Sequence, residues 1–496
     1  MTRPRAALAT VLGLTALMAA RLDAQGYRLR LDARGQSASY RGLQVDSIPF
    51  AQAVPGPGGG LQTPDGYAVR CAGDRWCYFY RAGEALRGIP LSTTADLTLW
   101  GFGVTGLSLH ATGRLITDAG DDEAWPATEP HAQLLEGYLE YERDWLKARG
   151  GRLLLASRLQ PMGFDGGWAR GRWDRPALEF TAYGGWGLGQ AAVVPITNPA
   201  LNPLDEWRPV KRQLVAGGEV AWMPGPVDVR AEYRREVDPE LDYFVSERAS
   251  LSFNAQPSRR FRATGGADWN LDYGELGSAD LALSYLGSGF TVSAGGRRYQ
   301  PYFNLWTLWG AFSPVPYNAV TASAQYTPIR WLSLRARGER YWYEAAEAST
   351  ALATVEDRGY RASFGGTITP NDRFTLDGSY LLEYGPGASS RYYDIGLTWQ
   401  PVTSLQLGAY GGRMFRPLEL RYYDATGTWI GARASWAFAH QMSIWGDGQY
   451  MKDERDRPDA GANSWDQVRI RAGVTITFGS NVDRRPTLPP ARRSLP

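Results

Sequence analysis

Arginine carries almost all the positive charge of this 496-residue chain, for among its 53 basic residues only Lys147, Lys211 and Lys452 are lysines. Many arginines recur two residues apart in alternating stretches: Arg170 and Arg172, Arg335 and Arg337, Arg469 and Arg471, and Arg230 and Arg234 with Glu232 between them. In an extended strand that spacing puts the guanidinium groups on one face. By the same parity Arg114, Arg262 and Arg361 share the polar face of their own stretches, as do the acids Asp268, Asp280, Asp377, Glu383 and Asp447. Two kinds of chemistry fit. One is a graded electrostatic lining that selects solutes by charge, favouring anions where arginines cluster. The other is a wall of mutual ion pairs, which a net charge near zero permits.

Catalytic and metal chemistry find little support. No GxSxG is present, and the three histidines, His110, His131 and His440, lie on separate segments. His110, on the polar face between Ser108 and Thr112, reads as an ordinary wall histidine, and no enzyme activity is expected. Two cysteines and three scattered histidines make no ligand cluster, and no CxxCH occurs to hold haem, so neither metal nor cofactor is expected. The formal charge of +2 falls to about zero once Arg3, Arg5, Arg21 and Asp23 leave with an export signal, unlike the strongly basic balance of a nucleic-acid binder.

The elements that must position these charges are strands. Residues 1–24 read as a secretory signal, with Arg3 and Arg5 ahead of an apolar stretch from Ala7 to Ala20 and Ala24 as a small residue for cleavage. Export makes a disulfide across the hairpin CAGDRWC, Cys71 to Cys77, the expected state of the only cysteines. No other apolar run approaches the ~18 residues of a membrane helix. Instead, from residue 96 onward, stretches of about ten alternating residues are joined in turn by short turns and longer polar loops. The short turns centre on Pro224, Pro257, Gly287, Pro328, Pro370, Pro401 and Ala439. The apolar-face residue nearest each is usually aromatic: Trp222, Phe253, Tyr285, Tyr326, Trp399, Phe438 and finally Phe478, with Ile368 the exception. A periodic aromatic row at one end of a hairpin meander is the mark of a membrane interface.

The resulting expectation is all-β, a large antiparallel transmembrane β-barrel of about 22 strands, with 20 or 24 as alternatives, short periplasmic turns and longer extracellular loops. Counting back from Phe478 gives 21 strands to residue 96, and both termini on one side demand one more, from 27–35 or 75–82. The boundaries are then a signal at 1–24, an N-terminal segment at 25–95 with a strand and the disulfide hairpin, the barrel at 96–478 and a polar, disordered tail at 479–496. The Pro- and Gly-rich stretch 44–64 reads as loop or linker.

Through its signal, hairpin meander, aromatic row and final strand VRIRAGVTITF, the chain resembles outer-membrane porin-type barrels over about 380 residues. The stretch RLQPMGFDGGWARGRW, Arg158 to Trp173, is loosely similar to a strand-loop-strand of alginate-export-type and cytochrome-sheathing barrels. The resemblance implies an outer-membrane location, contact with its lipid, and passage of small hydrophilic solutes through an arginine-lined lumen. Its alternative is a non-conducting barrel that sheathes or anchors a periplasmic partner such as an electron-transfer cytochrome; an outer-membrane hydrolase ranks third. Segments 188–210 and 300–317 are the candidates for narrowing the lumen. The second carries Trp306, Trp309, Phe312 and Tyr317, too aromatic for a solvated loop, which could fold inward or offer stacking faces to a sugar.

Overall fold

The computed structural model describes residues 26–56, 60–121, 131–188, 213–239, 243–272, 274–300, 316–344, 357–385, 388–416, 425–455 and 464–480. The N-terminal part forms β1 (Gly26–Pro49), the short strands β2 (Val54–Pro55), β3 (Leu61–Gln62) and β4 (Arg70–Ala72), and β5 (Trp76–Gly88). Next come β6 (Pro90–Trp100), β7 (Leu107–Asp118), β8 (Ala132–Arg143), β9 (Leu146–Leu155), β10 (Met162–Trp173), β11 (Leu178–Gly187) and β12 (Leu214–Trp222). The middle of the chain contributes β13 (Val227–Asp238), β14 (Tyr243–Ala255), β15 (Phe261–Asn270), β16 (Glu275–Leu286), β17 (Phe290–Tyr299), β18 (Tyr317–Ile329) and β19 (Leu332–Tyr343). The last seven are β20 (Arg358–Asn371), β21 (Phe374–Gly385), β22 (Ala388–Val402), β23 (Leu405–Arg416), β24 (Ala425–Ala439), β25 (Met442–Arg455) and β26 (Trp465–Gly479).

Strands β6 to β26 pair in sequence order, each antiparallel to the next, and β1 closes the ring between β26 and β6. The barrel therefore has 22 strands, and residues 26–37 supply the one that the meander from residue 96 leaves unaccounted for. Closure pairs every strand on both sides, which hydrocarbon requires of a backbone that has no water to bond. Short links such as 144–145, 330–331, 372–373, 403–404 and 440–441 lie at the end that holds Gly26 and Gly479, and the longer connections lie at the other.

Alternation sets the two faces. Leu139, Phe180, Leu251, Leu283, Val320, Phe364, Ile395, Ile430, Val468 and Ile470 stand on the outside and are all exposed, as an apolar belt toward lipid must be. At its short-turn edge Trp222, Tyr326, Trp399, Phe438 and Phe478 are 40–52% exposed. With this belt and edge, the molecule is a transmembrane barrel of the outer-membrane type.

Part of the stretch 44–64, expected as loop or linker, is strand, because residues 38–49 form one arm. They continue β1 beyond the barrel and pair with β5, so Gln44–Pro49 are strand; bonding to β5 outweighs the Pro and Gly content that follows. This arm leaves the barrel at the long-loop end. Its base is tied to the end of β7, where Asp121 N donates to Arg87 O at 2.9 Å and Ala119 N to Ile89 O at 3.1 Å. Its tip holds the Cys71–Cys77 disulfide between directly opposed residues of β4 and β5, above a small core of Thr63, Tyr67 and Phe79.

Candidate functional site

The lumen is shaped by a loop of six residues, 156–161, between β9 and β10. Leu159 is fully buried, and beneath the loop Leu153, Met162, Phe164, Tyr183 and Val215 form an apolar cluster on the inner face of β9 to β12. Beyond β12, the loop is gripped by the wall it reaches. Arg234 of β13 and Arg248 of β14 both donate to the Leu159 carbonyl, the latter at 2.8 Å, and Arg234 also reaches the Gln160 carbonyl at 3.2 Å. From the loop, Arg158 bonds Asp280 of β16 at 2.6 Å and lies 3.7 Å from Asp268 of β15. Gln160 takes a left-handed conformation, φ 83°, that turns the chain at the loop's far point. Gly266 lets Arg158 lie against β15, since a Cβ there would meet its Nη1 at 2.8 Å.

This crossing explains how charge is buried in a wall that sequence places against water. Glu232, Arg234, Asp238, Arg248, Ser250, Asp268 and Asn270 are all 8% exposed or less. Charge-assisted bonds to carbonyls and carboxylates compensate the lost hydration of the guanidinium groups. Glu232 accepts from the Tyr183 hydroxyl at 3.3 Å, and Arg248 sits 3.6 Å from Asp268.

Around the barrel, β17 to β21 carry a ladder of charge. Glu339 accepts from Arg297 and Arg361, each at 2.8 Å, and Arg361 Nε donates to Glu383 at 2.7 Å. Tyr317 lies in this ladder, its ring centroid 5.6 to 6.0 Å from Tyr299, Tyr341 and Tyr343 and 5.3 Å below the Arg297 guanidinium. Trp306, Trp309 and Phe312 lie outside the described residues, as does most of segment 188–210.

Below the ladder, toward the short turns, a cavity of about 840 Å³ opens on the inner face of β17 to β22. Hydroxyls dominate its lining, among them Thr291, Ser323, Ser333, Ser363, Thr367 and Ser379, with Arg335 and Arg337 between them. The Arg337 side chain is 59% exposed and its nearest acid, Glu339, is 3.7 Å away. Asp377 lies on β21 between Thr375 and Ser379, both of which line the cavity.

The remaining arginines of the alternating stretches are mostly tied to neighbours. Arg471 is bonded to Asp447 at 2.6 Å, Arg230 to Asp228 at 3.0 Å and Glu219 at 3.2 Å, and Arg170 stands 3.8 Å from Glu179. Arg172 is 3.6 Å from Asp174 at a short turn. Three have amide partners: Arg114 with Gln133 at 2.8 Å, Arg262 with Asn254 at 3.0 Å and Arg469 with Gln467 at 3.1 Å. Arg114 and Arg471 also border a second space of about 490 Å³ on the β25, β26, β1, β6 and β7 side. His110 bonds the Ser108 hydroxyl at 3.1 Å and the Thr98 hydroxyl at 3.3 Å, and stacks on Tyr138.

Sequence reasoning missed Arg158, Arg248, Arg297 and Glu339, as well as the loop itself. A link of six residues looks too short to cross a lumen. Its signal lay in composition, a Leu between Arg158 and Gln160 next to Pro161, where a solvated link would be polar throughout.

Fold and lumen together define a 22-strand transmembrane β-barrel of the outer-membrane type. The sequence matches no protein-family model and no curated protein. Among solved structures the chain is similar to Acinetobacter baumannii OccAB1, with a TM-score of 0.40 and 8% identity over 92% of this chain and 99% of that one. It is also similar to the outer membrane protein OprD from Pseudomonas aeruginosa, with a TM-score of 0.37 and 9% identity over 92% and 96%. For Pseudomonas aeruginosa OpdQ the values are 0.38 and 7% over 91% and 99%.

Proposed function

We propose that the protein is a diffusion channel for small hydrophilic solutes, narrowed by loop 156–161 and favouring anions along the wall that carries Arg335 and Arg337. The observation that carries this reading is the division of labour between walls. Loop 156–161 covers the charges of β13 to β16 and neutralises them internally, while the cavity of about 840 Å³ keeps hydroxyls and two arginines facing open space. A solute passing the loop meets acceptors and donors that replace part of its hydration, beside guanidinium groups that lower the energy of an anion.

The test is reconstitution of the refolded chain in a planar bilayer, with single-channel conductance and anion-to-cation permeability recorded at low and high salt. Stable steps with an anion preference that fades at 1 M salt, where the screening length is about 3 Å, are the expected result. A folded, heat-modifiable barrel that never conducts would overturn the reading and bring forward that of a barrel enclosing a periplasmic partner.

A further inference from the structure

Charges on the lipid-facing side of a barrel need an explanation, because arginine costs roughly 2–4 kcal/mol at the bilayer midplane and about 0–1 kcal/mol near the interface. Over most of this barrel the explanation is pairing. On the outer face Arg152 is bonded to Asp165 at 2.7 Å, Arg298 to Glu344 at 3.0 Å and Lys452 to Glu454 at 2.6 Å, and Arg235 stands directly opposite Glu247.

The arc from β19 to β23 departs from this rule. It turns four exposed arginines outward, Arg340, Arg358, Arg391 and Arg413. Their outward direction follows from alternation with the exposed residues Trp342, Tyr360, Tyr393 and Ile395. Each lies within four residues of the long-loop end of its strand. Among the described residues only Arg358 has an ion pair, with the exposed Asp357 at 3.5 Å. Arg340 pairs across the ladder with Tyr360 and Arg358 with Trp342, so the two arginines are diagonal neighbours on adjacent strands. Arg391 opposite Phe415 and Arg413 opposite Tyr393 repeat the arrangement on β22 and β23. Such diagonal positions are about 7–8 Å apart, close enough for two long side chains to converge on one anion. Leu382 and Tyr384 of β21 separate the two pairs, and Tyr360 and Tyr384 stack at 5.8 Å between them.

From this geometry we infer that the outer face of β19 to β23 is a docking surface for phosphorylated glycolipid headgroups of the outer leaflet, each arginine pair taking a phosphate and the aromatic rings lying against the sugar and upper acyl chains. Charge complementarity selects the occupant. Four cations against the exposed Asp357, with Glu344 already held by Arg298 and Glu454 by Lys452 at the margins, suit a polyanion, the surface faces lipid, and its position at the long-loop edge is headgroup height. At the short-turn edge of the same arc the outward positions are uncharged, among them Leu334, Ile368, Phe374 and Trp399, and Arg143 beside Trp145, elsewhere on the barrel, is an outward arginine of that end.

The test uses the full chain, folded in detergent and titrated with bisphosphorylated lipid A or its dephosphorylated form, with bound lipid counted by native mass spectrometry. Retention of the phosphorylated form is expected, with apparent affinity falling roughly tenfold, about 1.4 kcal/mol, in Arg391→Gln/Arg413→Gln. Arg340→Gln/Arg358→Gln should act similarly, and Arg143→Gln should change nothing. Heat-modifiable migration on gels certifies that each variant is folded. Equal retention of the dephosphorylated lipid, unaltered affinity in both double variants, or an equal loss in Arg143→Gln would each overturn the assignment. Displacement of the lipid by millimolar inorganic phosphate would overturn it too, marking a site for the free ion.

Discussion

Two stretches of the inner wall, β13 to β16 and β18 to β21, are written in the same alphabet and end in opposite states. Each alternates charged or hydroxyl residues with apolar ones, and each carries arginines two apart or nearly so. In the first, Arg234 is 1% and Asp268 6% exposed. In the second, the Arg337 side chain is 59% exposed and borders a large cavity. Six residues that belong to neither stretch make the difference: loop 156–161 lies on the first and not on the short-turn half of the second, where the cavity opens, while nearer the long-loop end Glu339 and Tyr341 are buried among their own neighbours. The strand pattern decides which face a side chain takes, and a distant loop decides whether that face sees water.

The most forceful way to break the comparison is to detach the loop. Asp268→Asn with Asp280→Asn removes both carboxylates that hold Arg158 and leaves Arg248 with one acid fewer in a buried wall. Stripping Asp268 from the buried Arg248 costs roughly 3–5 kcal/mol and the half-exposed Arg158–Asp280 pair adds at most about 1 kcal/mol, together more than a loop of six residues is expected to withstand. The loop should leave the lumen, single-channel conductance should rise and its steps become noisier. Unchanged conductance in a folded double variant would mean that the loop does not limit the pore. Gly266→Val attacks the same latch sterically, since its Cβ would come within 2.8 Å of Arg158 Nη1, and, because it would also meet the Leu251 carbonyl at 2.7 Å, the smaller rise in conductance expected with the carboxylates intact is read in protein whose heat-modifiable migration shows a folded barrel.

The bare wall is probed through selectivity. A unit charge about 8 Å from a permeating ion in a water-like medium contributes about 0.5 kcal/mol. Arg335→Gln with Arg337→Gln should therefore lower anion partition roughly fivefold at low salt and hardly at all at 1 M. The conductance at high salt should hold, because neither side chain supports the loop. An equal drop from Arg234→Gln in a folded channel would erase the contrast between covered and bare walls.

How much of this was legible in the sequence follows from the length scale of each feature. The barrel was legible because alternation repeats along every strand and a one-residue slip would turn the whole apolar set inward. Strand count was readable to within the N-terminal segment, where 27–35 and 75–82 both looked like strands. Both are, but β5 pairs with the part of β1 that has already left the barrel. Parity could group Arg361 with Glu383 or Arg471 with Asp447, which stand directly opposite each other on paired strands. It could not bring Arg158 to Asp280, 122 positions away, because nothing periodic links them. The ring of tyrosines around Tyr317 stayed hidden for the same reason: each is unexceptional on its own strand, and only register assembles them.

The finest test asks whether the covered wall is covered at a cost. Ser246 of β14 is 1% exposed, and its hydroxyl has no hydrogen-bond partner among the described residues. Ser379, on the cavity wall, donates its hydroxyl to Asp394. A buried hydroxyl without a partner has lost its water for nothing, so Ser246→Ala should be neutral or stabilising, by at most about 1 kcal/mol. Ser379→Ala removes a bond to a charged acceptor and should destabilise by roughly 1–2 kcal/mol. Urea unfolding of both variants in lipid vesicles reads the difference. If Ser246→Ala proved the more damaging, the hydroxyl would have a partner on a segment outside the described residues, and the wall beneath loop 156–161 would be held by more than the five arginine contacts that now account for it.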